Sequence, residues 1–311
     1  MAVLMGYQER DRHIIDYGLY QLPGVAPYEG HGMFRGPRVT DGGYIACVGA
    51  AQTFGCFCPE PYPVLLARKL GIETLNLGYG GAGPTFHNAN SRLLRYINDA
   101  RLVIVQVLSA RSQSNSHFRT PGHARQGVRV ADGRWMPAER FYYELALNDP
   151  GKLPAIVDET RRNYVRDMRR LLHDIRPPKI LFWFSRRYPD YEIQYQLPMW
   201  NIFRNFPQMV NRPMVDQIKP AADCYVECVT ARGMPQPLYS RNGEPATVNF
   251  QDDAGRDGIV VTHNNYYPSP EMHADAAGAL VAPCRELLRA RPLATRTIRP
   301  REAPPAGPGE N

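Results

Sequence analysis

The chain has 311 residues, 43% of them hydrophobic, enough for one large core with insertions, and its 29 prolines and 26 glycines imply long irregular stretches between regular elements. No run approaches the roughly 18 apolar residues of a membrane span, and Met1 to Asp16 is too polar for a signal peptide, so a cytoplasmic protein with no membrane contact is expected. The net charge of +7 comes from scattered arginines with no basic run interleaved with aromatics, which argues against nucleic acid as a partner.

Residues 1–43 alternate aromatic and turn signals, Tyr17, Tyr20, Pro23, Tyr28, Phe34 and Arg35-Gly36-Pro37, and read as an arm wrapped on the domain. Regular structure begins with Tyr44-Ile45-Ala46-Cys47-Val48, an apolar run ending at Gly49 that fits a buried parallel strand. A helix is expected from Pro63 to Leu70. Thr74-Leu75-Asn76-Leu77 then leads into the loop Gly78-Tyr79-Gly80-Gly81-Ala82-Gly83, and Phe86, Asn90, Leu93, Leu94 and Ile97 fall on one helical face. The clearest strand is Leu102 to Leu108.

An irregular insertion is expected over about 110–155. A helix with Tyr164, Met168, Leu171, Leu172 and Ile175 on one stripe follows, then the strand Ile180 to Phe184. A second insertion, about 186–222, is rich in aromatics, and a strand at Ile259-Val260-Val261 is expected in or beside the sheet. The last helix starts near Pro270 with Ser269 as its N-cap. Residues 291–311 are proline-rich and core-free and read as a disordered tail. Strand and helix alternating over 44–290 predict an α/β domain, a three-layer sandwich with a mainly parallel, flavodoxin-like sheet.

The six cysteines, Cys47, Cys56, Cys58, Cys224, Cys228 and Cys284, are too sparse for a disulfide scaffold. They also miss C-x2-C spacing, so they read as small buried residues and no metal is expected. The glycine loop lacks both G-x-G-x-x-G spacing and a P-loop lysine, so no nucleotide cofactor is expected.

In open α/β sheets ligands sit beyond the carboxyl ends of the strands. Four segments meet there: Gly49-Ala50-Ala51-Gln52-Thr53-Phe54-Gly55, Asn76 to Gly81, Ser109-Ala110-Arg111-Ser112 with Asn115, and His273 before the last helical run. Together they resemble the four blocks of the SGNH (GDSL) hydrolases. The resemblance implies that Gly49 and Gly55 frame the nucleophile turn, that Gly81 supplies an oxyanion-hole amide, and that His273 is the general base. Ala50 and Ala51 stand at the family's Asp-Ser positions, Pro270 stands where its aspartate lies three residues before the histidine, and the third block's Gly-x-Asn-Asp is absent, with Asn115 offering an amide from the same loop. The Gly49 to Gly55 block is also similar to that of alphaproteobacterial proteins, which implies that the alanine is native.

A methyl group at the reactive turn leaves Thr53, Ser109 and Ser112 as replacement hydroxyls, Thr53 having the competing role of capping the following helix. His263 is a second histidine on a strand-end loop. Arg111 and the pair Arg186-Arg187 follow strands and suit planar anions, and Trp135, Tyr142, Tyr143, Tyr188, Tyr191 and Trp200 offer faces for a groove. Three functions follow: a protein binding a small polar molecule or polysaccharide in the remnant crevice with Ala51, Gly81, Asn115 and Arg111; a carbohydrate-acting esterase, deacetylase, or sulfuryl or acyl transferase using His273; or a structural, assembly role.

Overall fold

The computed structural model describes residues 6–25, 33–39, 43–122, 126–250 and 259–290. The expected tail at 291–311 lies outside the described residues. Five strands form one parallel sheet: β1 (Ile45–Gly49), β2 (Thr74–Gly78), β3 (Leu102–Gln106), β4 (Lys179–Ser185) and β5 (Cys224–Val229). Their spatial order is β5-β4-β3-β1-β2, every neighbouring pair parallel. The chain therefore reverses direction across the sheet between β1 and β3, which places the switch-point crevice above the carboxyl ends of those two strands.

Alternation along the strands sends their side chains to two separate cores. Ile45, Cys47, Leu102, Ile104, Ile180, Phe182 and Phe184 meet Tyr62 and Leu66 of α1 (Tyr62–Leu70). The same face meets Met272, Ala276 and Leu280 of the C-terminal helix Pro270–Ala290. Ala46, Val48, Leu75, Leu77, Val103, Val105, Leu181 and Trp183 face the other way, onto Leu93 and Ile97 of α2 (Ser91–Asn98) and the stripe Tyr164, Met168, Leu171 and Leu172 of α3 (Leu153–Asp174). Burying strands on both faces is why they read as unbroken apolar runs. Each fully buried leucine, valine or phenylalanine contributes about 1.5–3 kcal/mol. Among the described residues no helix is long and apolar enough to cross a membrane.

Several elements differ from the expectation. The helical face at 86–97 is two helices, Pro84–Ala89 and α2, because Asn90 leaves the helical region (φ −109°, ψ 86°) and its Oδ1 accepts the Leu93 N–H at 2.9 Å, capping α2. The insertion after β3 is regular where irregularity was expected: Phe118–Arg119, Gln126–Arg129 and Trp135–Pro137 form a small antiparallel sheet, followed by the helix Ala138–Asn148. Short strands separated by turns carry too little periodicity to stand out in sequence.

Ile259–Val261 does not join the parallel sheet. It pairs antiparallel with Val248–Phe250, and the sheet edge is taken by β5. Ser269 caps the C-terminal helix, henceforth α4, its Oγ accepting the Met272 N–H at 3.2 Å. In the N-terminal segment, Ile14, Ile15 and Tyr17 pack on Ala51, Phe54 and Phe57. Buried Arg35 donates to the carbonyls of Gly55 and Pro59, both at 2.7 Å.

Candidate active-site crevice

The turn after β1 is held by backbone geometry first. Gly55 ends the short helix Ala51–Phe54 in the left-handed region (φ 84°), its N–H returning to the Ala51 carbonyl at 2.9 Å. A Cβ on Gly49 would overlap Thr53, and one on Gly78 would overlap the Phe54 backbone, so both glycines let the turn lie flat on the sheet.

Inside that turn Gln106, the last residue of β3, is the organiser. Its Oε1 accepts the Ala50 N–H at 3.0 Å and the Thr53 hydroxyl at 2.9 Å. Because Thr53 spends its only proton there, the Tyr62 hydroxyl, 3.1 Å away, donates to Thr53 Oγ1. Asn76 of β2 closes the far side, its Nδ2 donating to the Thr53 carbonyl at 3.1 Å and its Oδ1 accepting the Gly78 N–H at 2.9 Å. Thr53 is fully buried and caps no helix. Ala51 is 6% exposed and belongs to one buried apolar cluster with Ile14, Tyr17, Leu238, Val248 and Tyr267.

His273 in the first turn of α4 is joined to the turn through Tyr62. The Tyr62 N–H donates to His273 Nδ1 at 3.1 Å, and the two rings stack with centroids 6.2 Å apart. Accepting at Nδ1 fixes the neutral ring as the Nε2–H tautomer, and that Nε2 is buried without a partner. Burial, with a smaller contribution from the Arg35 charge, pushes the imidazole down to about 3. No hydrogen bond or ring contact joins His273 to Thr53, Ser109 or Asn115 among the described residues. Pro270 offers no carboxylate, and Asp275, two residues past His273, is engaged by Thr230 and Arg232.

The residues after β3 divide in two. The Ser109 hydroxyl accepts the Arg111 N–H at 3.0 Å, and the Ser112 hydroxyl donates to the Gly81 carbonyl at 3.0 Å, so this loop and the glycine loop form one wall. Gly81 sits at φ 76°, which its lack of a Cβ permits. Asn115 points elsewhere. Its amide donates to Tyr142 and Thr160 in the larger core, and its Oδ1 accepts the N–H groups of His117 and Phe118, so it is a turn-forming residue of the small antiparallel sheet. His263 is exposed and 2.9 Å from the neighbouring Thr262 hydroxyl.

Arg111 lies beside that wall, mostly buried, its Nη1 donating to Glu139 Oε1 at 2.8 Å. Burial is the largest influence on it and opposes the charge, but the Glu139 carboxylate paired with it helps hold the guanidinium above its ordinary value. Arg111 Nε and Glu139 Oε2 remain buried without partners. Next to them, the Gln208 carbonyl accepts the Ala110 N–H at 3.1 Å, while its Nε2 donates to the Tyr266 hydroxyl at 2.9 Å and its Oε1 has no partner. Tyr266 is 42% exposed and forms the open rim.

Arg187 is not available to a ligand: its guanidinium donates to the carbonyls of Tyr188, Asn205, Pro207 and Val210 and so braces its insertion. Among the described residues Arg186 makes a single hydrogen bond, to Asn205 Oδ1 at 3.2 Å. Of the residues that sequence reasoning missed, Gln106 had a signal, a lone polar side chain closing an apolar strand. Tyr62, Gln208, Tyr266 and Glu139 had none, being brought in from distant parts of the chain.

These features define a parallel α/β protein with its polar groups gathered over the β1/β3 switch point. The chain matches the family described as Domain of unknown function (DUF6473) over residues 5–132 and 140–288, and it belongs to that family. No curated protein sequence matches it. Similar solved structures include a lipase from a goat rumen metagenome (10% identity, TM-score 0.38, covering 77% of this chain and 96% of the other). A catalytic mutant of an acetylxylan esterase from Geobacillus stearothermophilus is 15% identical at TM-score 0.36, covering 81% and 96%. A protein from Lactobacillus plantarum is 13% identical at TM-score 0.33, covering 82% and 100%.

Proposed function

We propose that this chain is an SGNH-like protein without the serine nucleophile, which binds a polar, carbohydrate-like ligand above the β1/β3 switch point and does not hydrolyse it. The observation that carries this is the Arg111–Glu139 pair, which uses one bond of a guanidinium fork and leaves Arg111 Nε and Glu139 Oε2 unpartnered beside Gln208 and Tyr266. Buried polar groups are almost always satisfied, and a guanidinium, a carboxylate, an amide and a phenol at an open rim match the hydroxyl and carboxylate groups of a sugar. The turn beneath offers a methyl group at Ala51, and Thr53 and Ser109 already hold hydrogen bonds.

An esterase or a sulfuryl or acyl transferase needs His273 as base, and its free lone pair is taken by the Tyr62 N–H. Calorimetric titration with an acidic oligosaccharide is expected to saturate without product, with affinity falling at least tenfold in Arg111→Gln. Robust turnover of p-nitrophenyl acetate that disappears in His273→Ala would overturn the proposal.

A further inference from the structure

We propose that the insertion after β4 carries a separate oxyanion-binding site built on the guanidinium of Arg204. Arg204 ends the short helix Trp200–Phe203, its N–H returning to the Trp200 carbonyl at 3.0 Å, with φ 54° and ψ −170°. That conformation belongs to glycine, and a side chain persists there only when something holds it. An arginine thus occupies a position where glycine would relax the backbone.

Among the described residues the charge of Arg204 meets only aromatic faces. The Arg204 guanidinium makes no hydrogen bond or ion pair there, and its Nε is buried without a partner. It lies 5.9 Å from the ring centres of both Tyr191 and Trp200. Arg187 lies 4.5 Å from the same Tyr191 ring, its own donors spent on carbonyls, and the Tyr191 hydroxyl is buried and unpartnered. Arg204 lies near enough that its charge helps burial press the Arg187 guanidinium down to about 10.

Two guanidinium groups are therefore held around one aromatic ring, and neither has an ion-pair partner among the described residues. Burying like charges without a counter-ion is costly, and an anion in the fork of Arg204 removes that cost while filling its unused donors. Planar, bidentate geometry selects a carboxylate, sulfate or phosphate group over a spherical halide. Trp200, 49% exposed beside the guanidinium, leaves the site open to solvent and gives a flat face to whatever carries the anion. This site stands on its own residues, whether or not Arg111 binds a ligand.

The test is calorimetric titration of the full chain with sodium sulfate, sodium phosphate and sodium glucuronate in separate arms, at ionic strength held constant with chloride. Saturable binding is expected in at least one arm. Response to glucuronate alone identifies a carboxylate on a sugar, and response to sulfate or phosphate a tetrahedral oxyanion. The titrations are made in an Arg111→Gln background, so that binding at Arg111 does not contribute, and there affinity is expected to fall at least tenfold in both Arg204→Gln and Arg204→Gly. The glycine variant also relieves the backbone, so its Tm is expected to rise by about 2–4 °C, showing that binding is lost from a folded protein. No saturable binding in any arm, or equal affinity in Arg204→Gly, overturns the proposal.

Discussion

The turn at Ala51 and the loop at Arg111 leave adjacent strands of one sheet, yet they are built in opposite ways. In the turn Thr53 and Asn76 are fully engaged within the protein, Gln52 Oε1, Gln106 Nε2 and His273 Nε2 are buried without partners, and the whole is sealed beneath the N-terminal segment. Beside it, Arg111, Glu139 and Gln208 each hold back a donor or acceptor near the exposed Tyr266. A hydrogen-bond network that is complete contributes stability and specifies one conformation, whereas one left incomplete at an open edge is where a ligand can complete it. The difference teaches that the turn serves as framework, and it supports the proposed recognition at the loop one strand over.

Acid should produce the largest effect, and on the framework side. His273 and His87 are both buried and pushed down to about 3, chiefly by burial, from an unfolded value of about 6.5. The folded protein keeps both neutral while the unfolded chain takes up their protons, so the stability they give is whole above about pH 6.5 and is lost as pH falls toward 3. Each should cost about 2 kcal/mol between pH 7.5 and pH 5. Denaturant midpoints across that range measure it, and a flat profile, or one unchanged in His87→Leu, would contradict the buried environments.

Next in size, Gln106→Leu strands the Ala50 N–H and the Thr53 hydroxyl and should cost about 2–4 kcal/mol while leaving ligand affinity intact in the protein that remains folded. Gly55→Ala forces a side chain into the left-handed region against Pro61 and should cost more than about 1 kcal/mol. Arg111→Gln is the converse. Its stability cost should stay under about 1–2 kcal/mol because its charged partner Glu139 is partly solvated, and its effect should appear in binding. A large loss of stability without loss of binding in Arg111→Gln would erase the contrast between the two regions.

Much of the framework was legible in advance, for a local reason. Tyr44 to Val48 and Leu102 to Leu108 read as strands because burial on two faces demands unbroken apolar runs, and Ser269 before Pro270 read as a helix start because capping acts over three residues. Gly49 and Gly55 were legible as a turn because backbone sterics are set by the residue itself. Asn115 shows the limit: its amide stood at the right place in the chain, but its partners, Tyr142 and Thr160, come from two helices that no spacing rule joins to it.

The sequence by itself determined that the protein is an α/β domain with a parallel sheet, and that no hydroxyl stands at Ala51, since both depend on short-range periodicity and residue identity. Only the tertiary structure decided that Tyr62 takes the lone pair of His273, that Gln106 consumes Thr53, and that Gln208, Tyr266 and Glu139 gather around Arg111. Those pairings span 211, 53, 58 and 28 residues of chain. Hydrogen bonds over such separations are chosen by how helices and insertions pack on the sheet, and packing is a property of the whole fold rather than of any segment.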